Sequence, residues 1–130
     1  MNYRHVYHAG NFADVFKHIV LVALLQALSR KDKPYCYLDT HAGIGVYDLL
    51  TSSAQKSKEF KQGIAMLLQQ ENPPALVSDY LACVREVNTP TPDTLHYYPG
   101  SPMIARQLLR PLDRMILTEL HPDDYSTLHH

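Results

Sequence analysis

Apolar residues recur at helical spacing from Phe12 onward, through Val15, Phe16, Ile19, Val20 and Ala23, and the run Ile19 to Leu25 makes the later turns apolar on nearly every side. Asn11, with Asp14 three residues on, has the form of a helix-opening box, so the spacing predicts a helix from here that is buried on more than one face. After the charged breaker Ser29 to Pro34, the short aromatic run Tyr35 to Leu38 reads as a strand ending at Asp39. Helical spacing returns over Ser57 to Gln70 and Pro74 to Val87, and Asn72-Pro73-Pro74 separates the two as a helical hairpin. Ser101 as N-cap before Pro102 predicts a helix over Met103 to Leu109. Arg114 to Thr118 reads as a second strand ending on Glu119, and Leu120 to Tyr125 opens a further helix.

The chain has 130 residues, enough for one modest domain and too few for two independent cores. Hydrophobic residues at 45% and charged residues at 19% are ordinary globular usage, which excludes a disordered or collagen-like chain. A net charge of −1 gives no global field toward nucleic acid or anionic lipid. The distribution changes that picture: residues 1–70 hold 8 basic and 5 acidic groups, and residues 71–130 hold 4 and 8. Four histidines (His5, His8, His18, His41) add pH-dependent positive charge to the first third. Cys36 and Cys83 lie far apart without metal-ligand spacing, so neither a metal site nor a disulfide is expected, and a reducing cytoplasm is the simpler setting. The seven uninterrupted apolar residues from Ile19 to Leu25 fall short of the ~18 expected of a membrane span, and the N-terminus lacks a signal-peptide core.

Two strand-end acids carry the candidate chemistry. Asp39 precedes the turn Thr40-His41-Ala42-Gly43-Ile44-Gly45, whose glycines allow backbone to approach a ligand, and Glu119 closes the second strand. In a doubly wound sheet, ligands bind beyond the C-terminal strand ends, where an acid can accept from ribose hydroxyls. The turn lacks the third glycine of a dinucleotide fingerprint, so S-adenosylmethionine fits better than NAD. Asp14, Lys17 and His18 share one patch of the first helical turns, for which a solvated helix start is the commoner explanation.

The segments YRHVYHAGNFADVFKH, KDKPYCYLDTHAGIGVYDL, YYPGSPMIARQLLR and LTELHPDDY, spread over nearly the whole chain, are similar to the N-terminal portion of the ribosomal RNA large subunit methyltransferase J family. The resemblance implies a Rossmann-like class I α/β methyltransferase fold, partial here, with the first strands of a mainly parallel sheet and a small helical insertion at about residues 49–95. That insertion would account for the 80 positions between Asp39 and Glu119, against ~20 in an uninterrupted unit. The implied activity is S-adenosylmethionine-dependent methylation of adenine N6 in 23S ribosomal RNA, by direct displacement, in a cytoplasmic enzyme that is monomeric when intact. Carried over by position, His18, His41, Ser101 and Glu119 would contact the cofactor, and Tyr3, His5 and Lys17 would face the RNA.

One departure matters most. Adenine-N6 methyltransferases carry an Asp/Asn-Pro-Pro-aromatic motif that binds the exocyclic amine, and no such motif follows a strand here. Asn72-Pro73-Pro74-Ala75 follows a helical stretch and lacks the aromatic residue. The chain therefore resembles the first half of an enzyme, contains no catalytic residue of its own, and is expected to be inactive alone. A different class of function, a non-catalytic nucleic-acid binding or processing protein linked to use of external DNA, is the alternative; strand-end acids flanking a glycine turn weigh against it.

Overall fold

A computed structural model describes residues 4–129. A 3-10 turn at His5–Tyr7 leads into α1 (Phe12–Ser29), followed by β1 (Cys36–Asp39) and β2 (Val46–Asp48). Next come α2 (Ser52–Ser57), a 3-10 turn at Glu59–Gln62, α3 (Ile64–Leu68) and α4 (Ala75–Glu86). The chain then forms β3 (Tyr97–Pro99), α5 (Ser101–Leu108), β4 (Arg114–Leu117) and α6 (Pro122–His129).

The two strands expected from the aromatic and RMILT runs pair with each other in parallel, Cys36 opposite Arg114 and Asp39 opposite Leu117. Both strands therefore end at the same edge. Arg110 fixes their beginnings: its guanidinium pairs with Asp113 and donates to the carbonyls of Ser29, Lys31 and Lys33, while Tyr35 N–H donates to Asp113. Helix α5 packs on one sheet face, and Cys36, Leu38, Arg114 and Ile116 on the opposite face are exposed.

Two strands that the sequence did not signal, β2 and β3, form an antiparallel ribbon with Tyr47 opposite Tyr98. Each is three residues long, too short to establish an alternating pattern. The expected helix over Ser57 to Gln70 is instead broken into α2, a 3-10 turn and α3. Lys58 takes a left-handed conformation that ends α2, and Gly63 presses against the backbone of Gly10 and Asn11, whose approach leaves no room for a continuous helix. Ser101 is the first helical residue and not the cap, because Gly100 is the N-cap and its extended backbone turns the chain out of β3.

Helix α1 lies across α4 and α5. Its inward side buries Asp14, Val15, His18, Val22 and Leu25, and the core continues through Ile64, Tyr80, Leu81, Val84, Tyr98 and Ile104. At 18 residues and mean hydropathy 1.6, α1 is long and apolar enough to cross a membrane by length and composition, although no single uninterrupted run is that long. Its outward side carries Phe12, Phe16, Val20, Leu24 and Leu28, every fourth residue, all exposed. The expectation that α1 is buried on more than one face is not met among the described residues: one broad face is buried and this stripe is open.

The contact between Gly63 and the α1 N-terminus holds α3 in place, since Ile64 N–H donates to Gly10 O at 2.9 Å. A Cβ on Gly63 would stand 2.1 Å from that same carbonyl oxygen. Gly63→Ala is expected to destabilise the chain by about 3 kcal/mol, seen as a lower urea midpoint; an unchanged midpoint would show that α3 can move away without cost.

Candidate active site at the strand ends

Beyond the C-terminal ends of β1 and β4 the chain encloses a cleft of about 500 Å³, lined among others by His5, His41, Gly43, Tyr47, Glu119 and His121. Its position follows from the parallel pairing, which delivers the glycine turn after β1 and the acid after β4 to one place. Thr118 N–H donates to Asp39 O and Ala42 N–H to Thr118 O, so the two strand exits stay zipped together past the sheet.

Glu119 is held by backbone on both oxygens: Gly43 N–H donates to Oε1 and His121 N–H to Oε2, each at 2.9 Å. A carboxylate has about four acceptor sites, so two such bonds fix its orientation and leave capacity for hydroxyls from the cleft. Gly43 is required here because its φ is +71° and a Cβ would stand 2.3 Å from Tyr47 Oη. His41 is exposed at the cleft, its Nδ1 2.9 Å from Thr40 Oγ1, and its N–H donates to Asp39 Oδ1 at 3.0 Å. His121 Nδ1, also in the lining, is buried without a hydrogen-bond partner among the described residues. An orphaned polar atom of this kind suits a polar group on a bound ligand.

Ser101 does not line the cleft. Its hydroxyl donates to Asp39 Oδ2, which also accepts from Tyr37 Oη at 2.6 Å. Burial, reinforced by the neighbouring carboxylate, pushes the Tyr37 hydroxyl well above its usual range, so it remains a donor to Asp39. The helix that Ser101 opens is thereby tied to the end of β1.

His18 does not line the cleft either. It is 2% exposed, its Nδ1 2.6 Å from Tyr98 Oη, which in turn lies 2.7 Å from Tyr80 Oη. On the other side its Nε2 is 3.6 Å from Asp14. Asp14 is 3% exposed, so the solvated helix start expected from the sequence is corrected: the N-terminal turn folds over α1 and closes this patch off. Asp14 Oδ2 accepts from His5 Nε2 at 2.8 Å and from Gly10 N–H at 3.0 Å. Lys17 extends outward, its Nζ 3.3 Å from Asp14 Oδ1. Tyr3 lies outside the described residues. The cleft thus brings together His5, His41 and Glu119, while His18 and Ser101 are connected to it through Asp14 and Asp39.

The sequence reading did not single out Tyr47 or His121 for the site. His5 packs edge-on against Tyr47, centroids 5.3 Å apart, and Arg4 closes the same wall by pairing with Asp124 of α6 at 2.9 Å. For His121 the signal was available, two residues after the strand-end acid; for Tyr47 it was not, since the β2–β3 ribbon that turns it inward left no pattern.

With this geometry in place, comparison with known proteins identifies the family. Residues 32–130 match the family model described as "Ribosomal RNA large subunit methyltransferase D, RlmJ". Two curated proteins named "Ribosomal RNA large subunit methyltransferase J" are similar over 98% of this chain. The one from Escherichia coli (strain K12) is 49% identical and the one from Haemophilus influenzae (strain ATCC 51907 / DSM 11121 / KW20 / Rd) 46%; the chain covers 45% of each. A crystal structure of a protein from Legionella pneumophila str. Philadelphia 1 superposes with a TM-score of 0.84 at 48% identity, over 94% of this chain and 44% of that one. The chain therefore spans less than half the length of these relatives.

The buried cluster makes stability depend on pH. Burial holds the His18 pKa down to about 4 from the ordinary 6.5, against the pull of the Asp14 carboxylate. Burial would raise the pKa of Asp14, but the His5 hydrogen bond and the nearby imidazoles keep it well below the usual carboxylate range. Between pH 6.5 and 4 the unfolded chain binds a proton at position 18 that the folded chain does not, so stability falls as pH falls through this window. The Asp14 contribution is lost only at still lower pH. Urea unfolding at pH 7 and pH 4 is expected to differ by up to about 3 kcal/mol from His18 alone, and His18→Gln should remove most of that part; an unchanged pH slope in the variant would contradict a neutral, buried His18. The α/β architecture, the strand-end cleft and the sequence matches together place this chain in the ribosomal RNA large subunit methyltransferase J family, with a Rossmann-like fold.

Proposed function

We propose that this chain forms the methyl-donor part of an S-adenosylmethionine-dependent enzyme whose intact form methylates adenine N6 in 23S ribosomal RNA in the cytoplasm, and acts as a monomer. The observation that carries this reading is Glu119, oriented by two backbone N–H groups at the mouth of a strand-end cleft opposite the glycine turn. The printed names of the relatives, as ribosomal RNA methyltransferases, support it.

In this reading the remaining acceptor capacity of Glu119 takes the ribose hydroxyls, and His121 Nδ1 offers a hydrogen bond to the base edge. His41, exposed on the glycine turn, contacts the donor from the β1 side. Ser101 and His18 belong to the same donor site: Ser101 holds Asp39 and so the turn that carries His41, and His18 stands behind Asp14. S-adenosylmethionine, when bound, supplies a methyl group activated by its sulfonium charge. The residues of this chain bind and orient; alignment of the reacting groups is what a displacement of this kind demands. His5 and Lys17, with Tyr3 ahead of them, face the RNA, an imidazole and an ammonium suited to phosphate and a tyrosine suited to stacking on a base.

The segment of about residues 49–95 is read as an insertion into the methyltransferase domain, its helices flanked by the β2–β3 ribbon. Asn72-Pro73-Pro74 lines an apolar groove against Phe12, Phe16 and Val77, away from the strand-end cleft, which supports reading it as a helix breaker and not as an amine-binding loop. Transfer needs such a loop, and these 130 residues do not contain one after a strand.

Calorimetry with S-adenosylhomocysteine tests the donor site. Micromolar binding by the parent chain and a roughly 10- to 100-fold loss in Glu119→Ala are expected. Absence of binding by the folded parent chain, or binding indifferent to the substitution, would overturn this function.

A further inference from the structure

The excess of basic groups in residues 1–70 is concentrated in two places. Arg30, Lys31 and Lys33 stand where the chain enters β1, and Lys56, Lys58 and Lys61 stand on the tight turn that joins α2 to Glu59–Gln62. In that turn Lys58 N–H donates to Ala54 O at 2.8 Å and Lys61 N–H to Lys58 O at 3.1 Å. The three lysines are exposed, and none of them pairs with an acid among the described residues. The acid between them, Glu59, is turned to the N-terminal segment: its Oε2 lies 2.9 Å from His8 Nδ1 and its Oε1 accepts from Asn11 Nδ2 at 3.2 Å. Lys58 adds an independent sign. It holds the left-handed conformation that ends α2, with φ 53° and ψ 28°, where glycine is the ordinary residue and a side chain is strained. A glycine would make the same turn at lower cost, so what the lysine brings is a charge that no acid in the described chain neutralises.

This turn is docked on the N-terminal segment that reaches the strand-end cleft. Helix α2 packs against His5–Tyr7, and Ser57, which Lys56 and Lys58 flank in sequence, donates from Oγ to Tyr7 O. His5, two residues before Tyr7, lines the cleft. Followed through Tyr7 and Ser57, the backbone of Lys56 and of Lys58 is at most roughly 20 Å from that of His5. The Tyr7 side chain is exposed along this path. An exposed ring beside unpaired lysines combines what single-stranded nucleic-acid sites use, a face on which a base stacks and charges that follow the phosphates. Arg30, Lys31 and Lys33 precede the strands and so lie at the end of the sheet away from the cleft.

We propose that Lys56, Lys58 and Lys61 form a phosphate-tracking surface for the RNA strand that flanks the nucleotide held at the cleft. The surface rests on the reading of this chain as part of an RNA methyltransferase, and it gives the α2 region a task in substrate binding. Its contacts are to phosphates, so they hold and orient the strand and carry no sequence preference.

Fluorescence anisotropy with a labelled single-stranded RNA dodecamer, repeated over a series of salt concentrations, tests it. Each phosphate contact contributes about 0.7 to the slope of log affinity against log salt, so the triple variant Lys56→Gln, Lys58→Gln, Lys61→Gln should flatten the slope by about 2 and weaken binding about 100-fold near 0.1 M salt. The pair Lys31→Gln, Lys33→Gln is the control for net charge and should leave the slope unchanged. Equal flattening per lysine in that control pair, or an unchanged slope in the triple variant while the parent chain binds RNA, overturns the surface alone. Failure of the folded parent chain to bind the RNA overturns the RNA reading and the surface together. Binding to phosphatidylserine vesicles that the triple variant loses, with its RNA binding intact, assigns the lysines to a membrane and overturns the proposal. If the triple variant does not fold, Lys58→Gly, which relieves the left-handed strain, decides the matter: RNA binding about 5-fold weaker near 0.1 M salt, with a urea midpoint no lower than the parent's, supports the surface, and unchanged binding overturns it.

Discussion

The parallel pairing of Cys36–Asp39 with Arg114–Leu117 is the constraint from which the rest of the structure follows. Parallel strands cannot be joined by a tight turn, so the intervening chain must cross back to the starting edge before the second strand begins. Here that crossover carries the β2–β3 ribbon, three helices and α5, and still returns Arg114 beside Cys36. The Arg110–Asp113 pair clamps the entry side, and the Thr118 and Ala42 hydrogen bonds continue the pairing on the exit side. With entry and exit both fixed, the glycine turn and Glu119 have only one relative placement, and the backbone N–H of Gly43 meets the Glu119 carboxylate without any side chain having to search for it.

A second layer of order comes from polar groups placed where water is absent. Tyr80, Tyr98, His18, Asp14 and His5 form a run of polar groups from the centre of the core to the cleft wall, hydrogen-bonded at each link except the 3.6 Å approach of His18 Nε2 to Asp14 Oδ1. A buried polar atom is costly alone and is stabilised where its neighbour hydrogen-bonds it, so the bonded links favour a single arrangement. Burial drives the hydroxyls of Tyr80 and Tyr98 well above their usual range, which keeps both as neutral hydrogen-bonding groups beside a neutral His18. The cleft wall is therefore attached to the least exposed part of the molecule, and the N-terminal turn that carries His5 is anchored despite having little apolar burial of its own.

The main elements and the strand-end acids were legible in the sequence because their signals are local. Helical spacing in α1 and α4, the aromatic run before Asp39 and the RMILT run before Glu119 each identify an element without reference to the others. Interactions set by distant partners were not legible. Nothing around Gly63 announces that Gly10 will pack against it, and nothing in residues 11–18 announces that Asp14 and His18 will be covered from one side by the N-terminal turn and from the other by Tyr98. Ser101 shows the same limit at smaller scale. Its position before Pro102 marks a helix start correctly, but its hydroxyl is drawn away from the helix by Asp39, 62 residues earlier, and the capping position passes to Gly100. The family resemblance carried the residue types of the site. The geometry sorted them into groups that line the cleft and groups that hold the lining in place.

In the proposed function the strand-end cleft, organised around Glu119, binds the methyl donor. An amide nitrogen–proton spectrum of the chain titrated with S-adenosylhomocysteine examines it most directly, because the two amides that hold Glu119 report on its carboxylate. Gly43 and His121 are expected to shift first and saturate together, with His41 following and the amides of the apolar groove around Phe16 and Val77 unmoved. Unmoved Gly43 and His121 amides at saturating ligand, or shifts confined to that groove, would contradict it.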